Sequence, residues 1–315
     1  MTVGFFLLST DEAPLLGAAL AAARAEAPDD LLVVDNASTD GTAELAEGMG
    51  ARVLRLRPRV SYCVAMNAGI GEVRGDAVAL LQADTFVQPG YKDAVLAALA
   101  EPGVGSVAPK LVRTLGPAPG ERLELLDTAG MVVDRRRKNN LVGHGAPADR
   151  YARRQDVFGA DGAAAVYRRE ALEDCALGGE VFDPDLVRWA SDADLAWRAR
   201  TLGWRCVYEP RSVVLHVRHY SPSTRARMSE ADRRMQFRNR YLMALKNDTP
   251  GELVRDLPAV AMYELLALGH VVLRERHLRL AYRQAARLAP SALRRRRLLA
   301  PRRRARTPFG LRAIP

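Results

Sequence analysis

The chain has 315 residues, 48% of them apolar, which suits one large α/β domain with an appendage, or two domains with a full core. Its formal charge is +10, and its three cysteines (Cys63, Cys175, Cys206) form no C-x-x-C pair, which argues against a disulfide framework or a zinc ribbon and fits a reducing cytosol. The amino end, Met1-Thr2-Val3-Gly4-Phe5-Phe6-Leu7-Leu8-Ser9, has no basic n-region and no small-residue cleavage site, so it reads as a first strand and not as a signal peptide.

Elements then alternate as in a parallel sheet covered by helices. Residues 3–8 read as a strand, and 14–25 as an amphipathic helix with Leu15, Leu16, Ala19, Leu20 and Ala23 inward. A strand at 31–34, a helix at 42–49, a strand at 52–56 and a helix at 63–73 follow. Residues 77–81 form a short apolar run, 90–100 a helix and 104–108 a strand. The stretch 113–156 is rich in Gly, Pro and charge, with Arg135-Arg136-Arg137-Lys138 in it, and predicts irregular structure with short strands that line one side of the site. Order resumes at 157–167, where Gly159 and Gly162 allow close backbone approach. Residues 191–202 predict a helix with acids in its first turn and arginines later, as its dipole prefers. Two strands are expected at 205–208 and 213–216, and the chain from 229 onward reads as wholly helical.

The most informative run is Leu31-Leu32-Val33-Val34-Asp35-Asn36-Ala37-Ser38-Thr39-Asp40-Gly41-Thr42. Apolar residues lead straight into a polar cluster at a strand's carboxyl end, where open α/β sheets form their ligand crevice. Asp40 and Thr42 could equally cap the next helix. An EF-hand is excluded because Ala37 holds its third position, and no P-loop sequence occurs. Gly69, Gly71 and Gly75 miss the dinucleotide spacing by one residue and fall in an apparent helix.

Polar groups end four apolar strands: Ser9-Thr10, Asp35, Asp84 and His216. Four such ends on one sheet edge describe a site. Asp84 and His216 are of a type that pairs on a divalent cation. Asp192 and Asp194 open a helix, where a carboxylate serves either as a cap or as a catalyst.

With these residues in view, the chain resembles the family-2 inverting glycosyltransferases of GT-A fold, in their rhamnosyltransferase-like branch. The matching stretches are residues 34–42, Asn67-Ala68-Gly69, Leu80-Leu81-Gln82-Ala83-Asp84-Thr85, residues 162–169, Phe182-Asp183, Ser191-Asp192-Ala193-Asp194-Leu195, and Arg198 through Pro210 to His216. The resemblance implies an α/β fold with a mixed, mainly parallel sheet flanked by helices, and a helical, Arg-rich C-terminal extension. The catalytic domain is expected over 1–228 and the basic helical region over 229–315. It implies donor binding by Ser9, Thr10, Asp35, Asn36, Ser38, Asn67, Gln82 and Asp84, and acceptor binding by Asp161, Gly162, Trp189 and Arg218. Asp84 and His216 would hold Mn²⁺ or Mg²⁺, and Asp192 would be the general base. The implied reaction moves a sugar, rhamnose first among candidates, from a nucleotide-diphospho-sugar to a glycan or lipid-linked hydroxyl in cell-surface polysaccharide synthesis.

Two departures stand out. Gln82 replaces the first acid of the Asp-x-Asp motif, and Ser191 replaces the Glu before the base, which removes a like charge that would raise the pKa of Asp192. They leave open a degenerate relative that binds nucleotide-sugar or membrane without turnover. A sugar nucleotidyltransferase is disfavoured because the acidic Ser9-Thr10-Asp11-Glu12 follows the first strand.

From Arg274 to the end there are fourteen arginines and one acid, Glu275. No aromatic residues interleave the arginine runs, which disfavours nucleic acid; an anionic membrane surface is the favoured partner, with a solvated tail as the alternative. The apolar stretch from Leu257 to Leu273 is short for a span and contains Pro258, Glu264 and His270, so an interfacial or core-packed helix is expected. The expected location is cytoplasmic, peripheral to the inner face of the plasma membrane.

Overall fold

A computed structural model describes residues 1–220 and 222–315. The first half follows the alternation expected from the pattern. Strands β1 (Val3–Ser9), β2 (Asp30–Asn36), β3 (Arg52–Leu56) and β4 (Ala77–Gln82) alternate with helices α1 (Ala13–Ala25), α2 (Thr42–Gly48) and α3 (Tyr62–Glu72). The four strands are parallel in the order β4-β1-β2-β3, with Ser9 opposite Asp35. Helix α1 buries Leu16, Ala19, Leu20 and Ala23, one stripe at helical spacing. The Ser61 side chain caps α3, and Gly69 lets that helix lie close on the sheet, where a Cβ would press on Phe6 and Val34. Gly75 lies beyond the helix, at φ +124°, a backbone shape that glycine adopts without strain.

The second half completes the sheet. It contains β5 (Thr85–Val87), α4 (Tyr91–Leu99), β6 (Val104–Thr114), β7 (Arg122–Thr128), β8 (Met131–Val133), β9 (Asn139–Leu141), β10 (Gln155–Val157) and β11 (Ala164–Arg168). Helices α5 (Arg169–Cys175) and α6 (Ser191–Thr201) precede the last strand, β12 (Arg205–His216). The full order is β10-β12-β6-β11-β4-β1-β2-β3, with β5 on β12 and β7 on β6. β11 is antiparallel to both neighbours, so the sheet is mixed but mainly parallel. The two strands expected at 205–208 and 213–216 are one, with a break in register between Glu209 and Val213 around Pro210, which has no N–H to pair. The stretch 157–167 is likewise not one element: a loop with the close approach at Gly159 parts β10 from β11.

Four helices follow: α7 (Glu230–Asn247), α8 (Pro250–Arg255), α9 (Leu257–Leu273) and α10 (Arg279–Leu299). Helix α7 packs along α10 and joins the first domain through buried charges. Lys246 is fully buried and pairs with Asp183 and with Asp194 (2.9 Å), while Arg295 reaches Asp183 at 3.1 Å. The chain is not helical to its end, contrary to the sequence pattern. Residues 303–315 run back over the sheet-bearing half without regular secondary structure and with a turn at 309–310: Arg304 N–H donates to the Thr201 carbonyl, Gly310 N–H to Val133, and Phe158 N–H to Leu311. Among the described residues, no single helix is long and apolar enough to cross a membrane. Helix α9 is not core-packed, since only Ala267 and Val271 on it are buried.

Candidate active site

The strand ends meet at the carboxyl edge of the sheet as their sequence predicts. Asp35 is fully buried at the end of β2, where one oxygen accepts the Ser38 N–H (2.9 Å) and the other meets Arg57 at 3.1 Å. Asn36 clamps Val60 through both ends of its amide, and the Ser38 hydroxyl accepts the Asp11 N–H. The Ser9 hydroxyl is buried with no partner among the described residues, and Thr10 beside it is half-buried. Asn67 exchanges two hydrogen bonds with the Phe182 backbone, so its amide shapes the loop before α6. Gln82 reaches the Gly162 carbonyl at 3.3 Å.

Asp84 and His216 come together from β4 and β12, with Nε2 of His216 3.6 Å from Oδ1 of Asp84. That oxygen is buried and accepts no hydrogen bond among the described residues. An unpartnered carboxylate oxygen facing an imidazole nitrogen is a donor set suited to a divalent cation. No group of three or more His, Cys, Asp or Glu ligands occurs among the described residues, so a cation here would complete its shell from a bound diphosphate and water. Burial alone would depress the His216 pKa, but its hydrogen bond to Asp127 and the carboxylate of Asp84 nearby outweigh this and raise it to about 9. Glu12 is also affected: burial and the charge of Asp84 push its carboxyl up to about 7.

Asp127, at the end of β7, organises this region. It is fully buried and accepts from His216 Nδ1 (2.8 Å) and Arg218 Nε (2.6 Å). Burial opposes its charge, yet these partners and His144 hold its carboxyl far below the usual range. Arg218 continues to Asp161 at 2.9 Å, and Asp161 accepts the Ala163 N–H. One chain of contacts therefore links Asp84 through His216, Asp127 and Arg218 to Asp161.

Asp192 lies at the far end of that chain, in the first turn of α6. Its carboxylate accepts the N–H of Gly162 (3.2 Å) and of Ala193 (2.8 Å). Burial and then the charge of Asp161 raise its pKa to about 6, against the pull of those N–H groups and of Arg218. Asp161 thus supplies the like charge whose loss Ser191 had implied. Asp194, the other acid of this turn, is locked with Arg198, Lys246 and Asn247 and is structural.

Asp161, Asp192, Trp189 and Arg218 all line one cavity of about 590 Å³, and Gly162 borders it through Asp192. The opposite wall comes from α7 and α9. Sequence reasoning missed Asp127, the role of Asp161 toward Asp192, Glu12 and the cavity's Arg233, whereas Lys138, in the charged stretch expected to line one side of the site, does line the cavity. The available signal for Asp127 was its place at the end of Leu125-Leu126 within a stretch read as irregular.

A mixed, mainly parallel sheet with acids at its carboxyl edge, and a carboxylate-lined cavity beside them, defines a GT-A-type protein. The glycosyl transferase family 2 profile matches residues 8–176, more than half the chain, and the chain belongs to this family. It is 30% identical over 222 residues to an N-acetylglucosaminyl-diphospho-decaprenol L-rhamnosyltransferase of Mycobacterium tuberculosis, covering 62% of this chain and 69% of that protein. It is 28% identical over 227 residues to the uncharacterized protein y4gI of Sinorhizobium fredii, covering 66% of this chain but 23% of that one. A pre-mycofactocin glycosyltransferase of Mycobacterium tuberculosis matches at 31% over 48% of this chain and 29% of its own length. The chain therefore spans about a quarter of two of these relatives and two thirds of the third.

Among solved structures, GalNAc-T7 with UDP, GalNAc and Mn²⁺ superposes with a TM-score of 0.61 at 14% identity, covering 78% of this chain and 48% of that one. The mannosyltransferase PcManGT of Pyrobaculum calidifontis, in complex with GDP-Man and Mn²⁺, gives 0.54 at 21%, covering 95% and 78%. At such identities the likeness speaks for the fold.

Proposed function

We propose that this chain is an inverting glycosyltransferase. It moves a sugar from a nucleotide-diphospho-sugar to a hydroxyl of a glycan or lipid-linked acceptor in cell-surface polysaccharide synthesis. The observation that carries the reading is Asp192, a carboxylate raised to about 6 at the wall of a large cavity and aimed by two backbone N–H groups. A general base near operating pH combines availability with proton affinity, and is worth on the order of 10²–10⁴-fold in rate. Asp192 takes the proton of the acceptor hydroxyl as that oxygen attacks the anomeric carbon from the face opposite the leaving diphosphate, which inverts the centre.

Asp35 and Ser38, at the end of β2, receive the nucleotide in this reading. Asp84 and His216 would hold a divalent cation, Mn²⁺ or Mg²⁺, which would supply positive charge to neutralise the negative charge developing on the diphosphate. Asp127 keeps the His216 ring oriented with Nε2 toward Asp84. The Mn²⁺ named with both solved neighbours supports that assignment. Rhamnose is the favoured sugar because a relative at 30% identity is named as an L-rhamnosyltransferase. The protein would work at the inner face of the plasma membrane.

The test is thermal unfolding with UDP, dTDP and GDP, each with and without Mn²⁺ or Mg²⁺, on the wild type and on Asp84→Ala. A ligand at ~100 times its Kd adds about 2.7 kcal/mol. One nucleotide should stabilise the protein in a metal-dependent way, and Asp84→Ala should abolish the effect. No shift with any nucleotide would overturn the reading.

A further inference from the structure

Trp189 is presented by a short loop with a strained joint on either side. Val187 stands at φ 64°, ψ −55° and Ala190 at φ 62°, ψ 10°, backbone shapes that are costly for an L-residue and most of all for a β-branched one. Such strain persists only where the surroundings over-determine the chain. Here every carbonyl from Asp185 to Trp189 accepts a hydrogen bond. Asp185 takes one from Arg238 (2.8 Å), and Leu186 and Trp189 each take one from the Asn239 amide (both 2.6 Å). Val187 takes the Cys63 N–H (3.0 Å), and Arg188 takes the Ser191 hydroxyl (2.7 Å).

Most of this grip comes from α7. Asn239 is fully buried, and its oxygen accepts Arg238 Nε (2.9 Å), so both ends of its amide are engaged. The indole is held as well. Its Nε1–H donates to Asp232 at 2.9 Å, Tyr220 meets it at 74° with centroids 5.9 Å apart, and the Arg188 guanidinium lies over the ring at 5.0 Å. Yet the ring remains a wall of the cavity that Asp192 also lines. A rigid aromatic ring at a cavity wall offers a large contact area with little side-chain freedom left to lose on binding.

We infer that Asn239 and Asp232 are positioning residues for the acceptor sugar, an inference that rests on the transferase reading above. They hold Trp189 so that the ring face not covered by Arg188 stacks on the C–H face of a pyranose, whose hydroxyl then falls at Asp192. A pyranose has an apolar C–H face and a polar rim. The indole matches the first, and the charged groups of the cavity meet the second. Fixing the ring fixes the attacking oxygen, and small displacements of a reacting atom cost rate steeply.

The test follows Trp189 fluorescence, taken as the difference from Trp189→Phe, while the full chain is titrated with p-nitrophenyl glycosides of glucose, galactose, rhamnose and N-acetylglucosamine. The nitrophenyl group quenches an indole that it approaches. At least one glycoside should quench the wild type saturably, and more tightly than p-nitrophenol. Asn239→Ala and Asp232→Leu should each weaken that glycoside ~3- to 10-fold, the size of an aromatic contact. Asp232→Asn, which keeps an oxygen for the indole N–H, should restore it. Asp232 is only partly buried, so its variants carry the test where Asn239→Ala fails to fold. Unchanged affinity in Asp232→Leu overturns the inference, as does p-nitrophenol binding as tightly as every glycoside. Nucleotide-induced stabilisation of the same samples separates the remaining outcomes. A nucleotide shift lost in step with sugar affinity in Asp232→Leu marks general loosening and also overturns it. A preserved shift without glycoside binding discards the Trp189 platform alone. No nucleotide shift in the wild type discards the transferase reading beneath it.

Discussion

In the proposed reaction Asp192 owes its role as base to its neighbours. Its pKa near 6 sets the expected pH profile: the unprotonated form does the work, so turnover should fall about tenfold per pH unit below 6 and level off above it. Replacing Asp161 with Asn removes a charge that raises this pKa and releases Arg218, which lowers it, so both effects move the acid limb to lower pH. A pH–rate profile of Asp161→Asn that keeps the wild-type limb would contradict this account. Asp192→Asn should lose ~10²–10⁴-fold in kcat with nucleotide binding spared. The linkage sign also follows. A carboxyl whose pKa rises on folding favours the folded state at low pH, and that benefit is gone once pH passes the folded value. At pH 7 the charged Asp192 therefore costs stability, and Asp192→Asn should melt no lower than the wild type. Asp35, Asp84 and His216 were legible because each ends an apolar run. The partnership of Asp161 with Asp192 was not, since the two are far apart in sequence and the close pass of Gly162, thirty residues before Asp192, brings them together.

At the scale of elements, α6 is the part whose position matters most to the site. It lies so close to the loop after β10 that a methyl on Gly159 would collide with the Cβ of Ala196. From the other side Asp194 ties it to α7 through Lys246 and Asn247, and Asp183 extends the cluster to Arg295 of α10. Removing one member of such a buried group leaves uncompensated charge, so Lys246→Met should cost about 3–5 kcal/mol and lower Tm by several degrees. A Tm unchanged from the wild type would show that the cluster does not hold the helix. The alternation of strands and helices was legible because buried parallel strands are short unbroken apolar runs between turn residues. The middle, β7 to β10, was less so. Its strands are three to seven residues long, too short to show a clear period, and β7 and β10 carry charged residues within them.

For the whole molecule, the arginine-rich tail has more than one task. Arg295, Arg296, Arg302 and Arg303 are hydrogen-bonded to the rest of the chain, at Leu177, Leu245, Ala176 and Asn247 among other groups. Arg274, Arg276, Arg279, Arg283, Arg287, Arg294, Arg297, Arg306 and Arg312 are exposed. Composition could not sort the two sets, because a solvated arginine and one that caps a carbonyl look alike in sequence. The membrane contact proposed above would fall to the exposed set, and deleting residues 303–315 should lower Tm even without lipid. The truncated protein melting like the full chain would refute that. Trp197 of α6 also donates to the Thr307 hydroxyl at 3.0 Å, so the helix bearing Asp192 is latched by a segment more than a hundred residues downstream. A product that stops short of Thr307 would carry a finished sheet edge with Asp192 on an unlatched helix, so competence would wait on a segment that contributes no strand to the sheet.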